Sequence, residues 1–105
     1  MNTTMVTVVR IYLKESSSQV EQLLRRLHDH EHVRGVTMFK GASGFGDTNG
    51  LSSTLSYSQN MLNAPLIIEF FDTPTKINAV IEHIANEIKP RHMMWWNAVV
   101  NDADE

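Results

Sequence analysis

The sequence has no cysteine, only three prolines and no hydrophobic run long enough to cross a membrane. Without cysteine there is neither a disulfide framework nor a thiolate that could act as nucleophile or metal ligand. The N-terminal segment is apolar over only about nine residues and lacks basic residues before them, unlike a signal peptide or a membrane span. We therefore expect a cytoplasmic protein.

Charged residues are also scarce, at 20% of the chain, with nine basic and twelve acidic side chains and a net charge of −3. No dense block of lysine and arginine is present, so nucleic acid is not an expected partner. Hydrophobic residues make up 42% of the 105 residues. That content is typical of a folded protein, and the length is that of one domain, so we predict a single domain over residues 1–105.

The hydrophobic pattern predicts four strands and two amphipathic helices. The helices are expected to begin at Ser18 and at Thr73, both natural N-caps, and to end before Gly35 and Pro90. The strands are expected at residues 5–13, 35–42, 65–72 and 93–100. This order predicts an α+β fold, the ferredoxin-like βαββαβ sandwich, followed by a frayed acidic tail at residues 101–105.

Both faces of the predicted sheet carry apolar side chains. In the first strand, one face receives Thr7, Val9, Ile11 and Leu13, and the other receives Val6, Val8, Arg10 and Tyr12. Because both helices of this fold cover the same face, the apolar groups on the other face are expected to pack against further subunits, in a closed ring such as a trimer. The alternative is that these are scattered surface residues. Trp95 and Trp96 should lie on opposite faces, one in the core and one at an interface.

A glycine-rich segment, KGASGFGDTNG at residues 40–50, holds four of the five glycines. It opens a stretch of about twenty residues without a sustained helix or strand pattern, and loops of that length are usually functional or disordered. Its backbone N–H groups could cradle phosphate. No Lys-Ser/Thr pair and no helix follow the glycines, so neither a P-loop nor a dinucleotide fingerprint is present, and simple turn formation is the alternative.

Five residues at the end of the first predicted helix read HDHEH, residues 28–32. His28 and His32 have the i, i+4 spacing that can hold a metal ion on one helix face. Histidines near a helix C-terminus are also favoured by the helix dipole alone. The chain shows no local arrangement of serine, histidine and carboxylate, so we do not expect an enzyme.

Three segments, VRIYLKE, RGVTMFKGASGFGD and PLIIEFFDTPTKI, together resemble the uncharacterised PII-like family, a branch of the nitrogen-regulatory PII superfamily. The resemblance covers residues 6–100, and GVTMFKGASGFG is its most specific part. It implies a non-enzymatic trimer of ferredoxin-like subunits. It also implies that the long loop, residues 44–63, is the regulatory T-loop.

The resemblance further implies that a small effector, commonly an adenine nucleotide, binds between subunits at the T-loop base; no other cofactor is implied. The ligand-binding residues would be Thr37, Lys40, Gly41, Gly44, Phe45 and Gly46, with Lys89 and Arg91 supplying charge because the short connection IKPRHM replaces the family's second phosphate loop. Contacts with a regulated partner, such as a membrane transporter, would come from Asp47, Leu51, Leu55 and Tyr57. The surroundings of Tyr57, LSYSQN, do not match those of the modifiable tyrosine in PII proteins.

Two alternatives remain open. A metal-responsive trimer similar to the divalent-cation-tolerance proteins has the same architecture and would use the histidines, including His83 or His92. The second alternative is an adaptor protein whose loop binds a protein partner without any effector.

Overall fold

The computed structural model describes residues 1–14, 18–41 and 65–104. Its elements are β1 (Asn2–Lys14), α1 (Ser18–Asp29), β2 (Val36–Lys40), β3 (Pro65–Asp72), α2 (Pro74–Ile84) and β4 (Met93–Asp102), with a short 3-10 turn (Ala85–Glu87) after α2. Four strands and two helices occur in the predicted order. The predicted α+β, ferredoxin-like fold is therefore confirmed.

The four strands form one antiparallel sheet with the order β2-β3-β1-β4. The first strand lies in the middle, where Val9 faces Phe70 of β3 on one side and Trp95 of β4 on the other. Two crossover helices separate the strand pairs in sequence, as a split βαβ arrangement requires.

One face of the sheet and both helices form the hydrophobic core. From the strands come Val9, Ile11, Ile68 and Phe70, each at most 1% exposed. The helices contribute Leu23, Leu27, Ile77, Val80 and Ile84. The i, i+3, i+4 spacing of these helical residues places them on the side that meets the sheet.

The opposite face of the sheet, which we call the open face, has neither helix packed on it. Alternation along the strands assigns to it Val8, Arg10, Tyr12, Thr37, Phe39, Ile67, Glu69, Phe71, Met94 and Trp96. Four of them are large and substantially exposed: Phe39 47%, Phe71 40%, Met94 48% and Trp96 38%. The predicted apolar second face is thus present. Trp95 lies on the helix side but is 51% exposed, so the expectation that one tryptophan belongs to the core is wrong.

The sheet is longer at one end than the sequence pattern predicted. Thr3 pairs with Asn101 and Asn2 pairs with Asp102, so the first two residues of the expected acidic tail belong to β4. The main-chain N–H of Asn2 donates to Asp104 Oδ1 at 3.1 Å, and its side-chain amide donates to the Ala103 carbonyl at 2.9 Å. Pairing with β1 and these polar contacts hold a segment whose composition alone favours fraying.

Candidate functional site

The ends of β2 and β3 meet in a tight neck, formed by Lys40, Gly41, Pro65 and Leu66. Lys40 lies opposite Leu66, and the Gly41 N–H donates to the Pro65 carbonyl at 2.8 Å. A Cβ atom on Gly41 would lie 2.8 Å from Pro65 Cγ, closer than nonbonded carbons approach. A side chain at position 41 would therefore have to displace the Pro65 ring. The neck joins the two ends of the connection that spans residues 42–64.

A second feature, the basic turn, covers residues 89–92 and leads into β4. The His92 N–H donates to the Lys89 carbonyl at 3.1 Å, and the Tyr12 N–H donates to the His92 carbonyl at 2.9 Å. Arg91 has a φ of 67°, in the left-handed region that non-glycine residues rarely adopt. Such conformations concentrate at binding and switch sites, where the surrounding structure holds them in place.

The neck and the basic turn lie at the same end of the sheet but on opposite edges. Lys14, the last residue of β1, faces Pro65 of the neck, while nearby Tyr12 is bonded to the basic turn. The β2 and β4 edge strands lie three interstrand spacings apart, about 14 Å, and the part of the neck on β3 lies two spacings from β4, about 10 Å. Within one chain, the backbones of the two features therefore do not meet.

The predicted ligand residues of β2 are divided between the two faces of the sheet. Thr37 faces Glu69 on the open face, whereas Lys40 faces Leu66 on the helix side, and both side chains are exposed. The remaining loop predictions lie outside the described residues: Gly44, Phe45, Gly46, Asp47, Leu51, Leu55 and Tyr57, together with the T-loop assignment of residues 44–63.

His28 and His32 do not share a helix face, because α1 ends at Asp29. The Val33 N–H donates to the Leu27 carbonyl, six residues earlier, at 3.1 Å, and His32 has a φ of 54°, so His32 supplies the left-handed residue of the cap that follows α1. Within residues 1–14, 18–41 and 65–104, no group of three or more His, Asp or Glu side chains is placed to hold a metal ion. Metal binding by this pair stays a prediction, without the helical geometry that motivated it.

Replacing His32 by glycine is expected to raise the free energy of unfolding by about 0.5–1 kcal/mol, because glycine adopts the left-handed cap conformation without steric cost. Urea denaturation followed by circular dichroism measures the change. His28→Gly is the matched control: His28 lies in the last turn of α1 with a helical backbone, so the same substitution there should destabilise, by up to about 1 kcal/mol. A loss of stability in His32→Gly would contradict the capping role.

Sequence reasoning missed an ion pair at the centre of the open face. Arg10 Nε and Nη2 donate to Glu69 Oε1 at 3.0 and 2.7 Å, and the guanidinium lies 5.4 Å from the centre of the Trp96 ring. The hydrogen bonds that Arg10 donates to Glu69 raise the pKa of Arg10 above its already high ordinary value. The signal was present: Arg10 is the single charge in MVTVVRIYL, as Glu69 is in PLIIEFF.

A second polar cluster, also missed, ties the exit of α1 to α2. His83 Nδ1 lies 2.9 Å from Glu31 Oε1, and Arg26 Nη1 lies 2.7 Å from Glu87 Oε2. The Glu31 side chain is only 9% exposed, and Arg26 Nε lies 3.7 Å from it. These contacts position the helices on the sheet rather than a ligand.

Among solved structures, the chain is similar to CPII, a nitrogen regulatory PII-like protein from Thiomonas intermedia K12, in a form bound to ADP and bicarbonate: 16% identity, 94% of this chain and 89% of that chain covered, TM-score 0.62. It is also similar to a PII-like signaling protein from Thermus thermophilus, at 14% identity, 95% and 91% coverage and TM-score 0.58. A third similar structure is LarC2, the C-terminal domain of a cyclometallase involved in NPN cofactor synthesis, at 5% identity, 95% and 58% coverage and TM-score 0.60. At these identities the likeness shows a shared fold.

No curated protein matches the chain. In the described part of the chain, neither helix has the length and apolar character needed to span a membrane. The DUF190 family, described as "Uncharacterized ACR", matches residues 6–100. The chain therefore belongs to the DUF190 family, an uncharacterised family with the PII-like fold.

Proposed function

We propose that this protein is a non-catalytic, cytoplasmic regulator of the PII type, which binds a small effector between subunits of a homotrimer. The observation that carries the proposal is the placement of the loop neck and the basic turn at one end of the sheet, on opposite edges. A copy related by rotation brings the β2 edge of one subunit beside the β4 edge of the next. The two halves then form one composite site.

The trimer is supported by the open face. Its exposed side chains Phe39, Phe71, Met94 and Trp96 form an apolar surface of the kind that soluble proteins usually cover. A closed ring covers this surface in every copy and leaves no unpaired patch at its ends, unlike a linear chain of subunits.

An adenine nucleotide is the effector class that the composite site fits best. The neck contributes the exposed Lys40 side chain, next to the Gly41 backbone that packs against the Pro65 ring, while Lys89 and Arg91 bring two cationic side chains from the other edge. Cations attract phosphate oxygens, so three lysine and arginine side chains around one site favour a phosphate-bearing ligand. The similar CPII protein has been solved with ADP, and also with ADP, AMP and acetate.

Regulation follows if the effector binds one conformation of the loop more tightly than another. A ligand shifts a conformational equilibrium only by its difference in affinity for the two states. The neck joins that loop directly to the effector site, so the loop is the part of the chain expected to contact a regulated partner. A membrane transporter is the class of partner that we propose.

Thermal unfolding in the presence of ADP, AMP or ATP, with and without magnesium, tests the effector. We expect a nucleotide to raise the melting temperature, because a ligand bound only by the native state stabilises it. Lys89→Ala combined with Arg91→Ala should reduce that rise, whereas Arg25→Ala, on the exposed side of α1, should leave it unchanged. If metals alone raise the melting temperature, or no ligand does, the nucleotide assignment is wrong.

Mixed assemblies test whether the site is shared between subunits. One variant carries Lys40→Ala, and the other carries Lys89→Ala and Arg91→Ala. After refolding in equal amounts, random mixing should restore roughly a quarter of the sites, since an intact neck meets an intact basic turn at that frequency. A site contained in one chain would regain no binding in the mixture.

A further inference from the structure

We propose that Arg10 and Glu69 set the orientation in which copies of this chain pack through the open face, each Arg10 facing Glu69 of a neighbouring copy as well as its own. This inference rests on the self-association proposed above and adds to it the residues that determine its geometry.

The pair occupies the central row of the open face, where Thr37, Glu69, Arg10 and Met94 lie side by side across the four strands. The adjacent row on one side is Phe71, Val8 and Trp96, and on the other side it is Phe39, Ile67 and Tyr12. The two charges are therefore enclosed by apolar and aromatic side chains within their own sheet. A surface that covers the aromatic residues also covers the pair.

The contact between the two side chains leaves hydrogen-bonding capacity for a second partner. Two Arg10 nitrogens, Nε and Nη2, donate to the same carboxylate oxygen, Glu69 Oε1. They do not form two parallel hydrogen bonds to the two carboxylate oxygens. A guanidinium has five N–H groups, and a carboxylate has two oxygens with about four acceptor positions. Their mutual contact uses two of those N–H groups and one of those oxygens, and the Tyr12 side chain is a further hydrogen-bond partner of Arg10, so part of the capacity of each group remains.

The pair is partly solvated in the single chain, with the Arg10 side chain 35% exposed and the Glu69 side chain 25% exposed. Covering the open face removes the remaining water, and a charge left without a counter-charge there is strongly unfavourable. An approach that places Arg10 of one copy against Arg10 of another is therefore rejected, as is carboxylate against carboxylate. Approaches that exchange opposite charges remain.

Charge complementarity identifies the occupant as a second copy of this chain. The central rows of the open face carry one cation and one anion, adjacent to each other, amid apolar groups. A copy related by rotation presents the same two charges and the same apolar rim, so Glu69 of one copy can face Arg10 of the next around a closed ring. A purely apolar partner would desolvate the pair without offering any replacement for water.

Charge reversal tests the pair. Arg10→Glu and Glu69→Arg are each expected to weaken self-association at least about 30-fold, measured by analytical ultracentrifugation over a range of concentrations. The matched control is Arg25→Glu, which disrupts the exposed Arg25–Glu21 pair on α1 and should leave association unchanged. Circular dichroism verifies folding, and Arg10→Gln and Glu69→Gln replace any reversal variant that does not fold.

Mixing the two charge-reversed variants distinguishes an Arg10–Glu69 contact between copies from one that acts only within a single chain. If charges are exchanged between copies, native mass spectrometry should show a mixed complex that neither variant forms alone. If only the swapped double variant, with Arg10→Glu and Glu69→Arg in one chain, restores assembly, the pair acts within the chain and the inference is wrong. The inference is also overturned if both charge-reversed variants self-associate as strongly as the wild type. If the wild type itself is a monomer, the proposed trimer is wrong.

Discussion

Phe70→Ala is expected to lower the free energy of unfolding by about 3–5 kcal/mol, because it empties a large volume in a core that cannot close around the gap. Phe70 of β3 is 1% exposed and belongs to the core cluster that the sheet forms with residues of both helices. Urea denaturation followed by circular dichroism gives the change directly. A loss below about 1 kcal/mol would mean that the helices do not cover this face as described.

The neighbouring residue is the control, because Phe71 points to the open face and is 40% exposed. Phe71→Ala removes the same group but leaves no cavity in the core, so the stability of the single chain should change by less than about 1 kcal/mol. Self-association should weaken instead, and the melting temperature should lose its dependence on protein concentration. Equal losses of single-chain stability in the two variants would contradict the assignment of opposite faces.

The alternation that separates these two residues is also why the fold could be predicted from the sequence. A period of two in β1 and β3, and a period of 3.6 in α1 and α2, each place apolar groups on one side of an element. The prediction for β3 agrees with the structure at both ends, residues 65 and 72. A proline at its start and the capping Thr73 after its end are local signals that need no tertiary information.

Other features depend on contacts that a sequence pattern does not contain. Asn101 and Asp102 have poor strand propensity, yet they pair with β1 because that strand begins three residues earlier than its apolar run. His32 occupies a cap position where glycine is usual, so its left-handed conformation could not be read from residue type. Trp95 and Trp96 lie on opposite faces as predicted, but Trp95 lies on an edge strand and remains half exposed.

The candidate site was only partly predictable for the same reason. The resemblance to PII-like proteins identified Lys40, Gly41, Lys89 and Arg91, and the structure places all four at one end of the sheet. Strand order, which depends on long-range pairing, places Lys40 and Gly41 at the β2 edge and Lys89 and Arg91 at the β4 edge. That separation is the feature that points to a site completed by a neighbouring subunit.

Gly41→Ala is expected to lower the free energy of unfolding by about 1–3 kcal/mol, because the new methyl group must displace the Pro65 ring. The added Cβ would lie 2.8 Å from Pro65 Cγ and 3.4 Å from the Pro65 carbonyl oxygen, which accepts the Gly41 N–H. Relief of either contact moves the neck and lengthens that hydrogen bond. We therefore expect the nucleotide-dependent rise in melting temperature to be lost together with stability.

Gly35→Ala is the control that isolates the effect of space from the effect of removing a glycine. A Cβ on Gly35 meets no atom within 4 Å, so alanine fits there and should be neutral or stabilise by about 0.4–1 kcal/mol through the unfolded state. Its response to nucleotide should match that of the wild type. Gly35 lies just before the first residue of β2, whereas the neck is at the last residue of that strand. If Gly41→Ala binds nucleotide as the wild type does, the close contact between Gly41 and Pro65 does not shape the effector site, and the neck serves only to join β2 to β3.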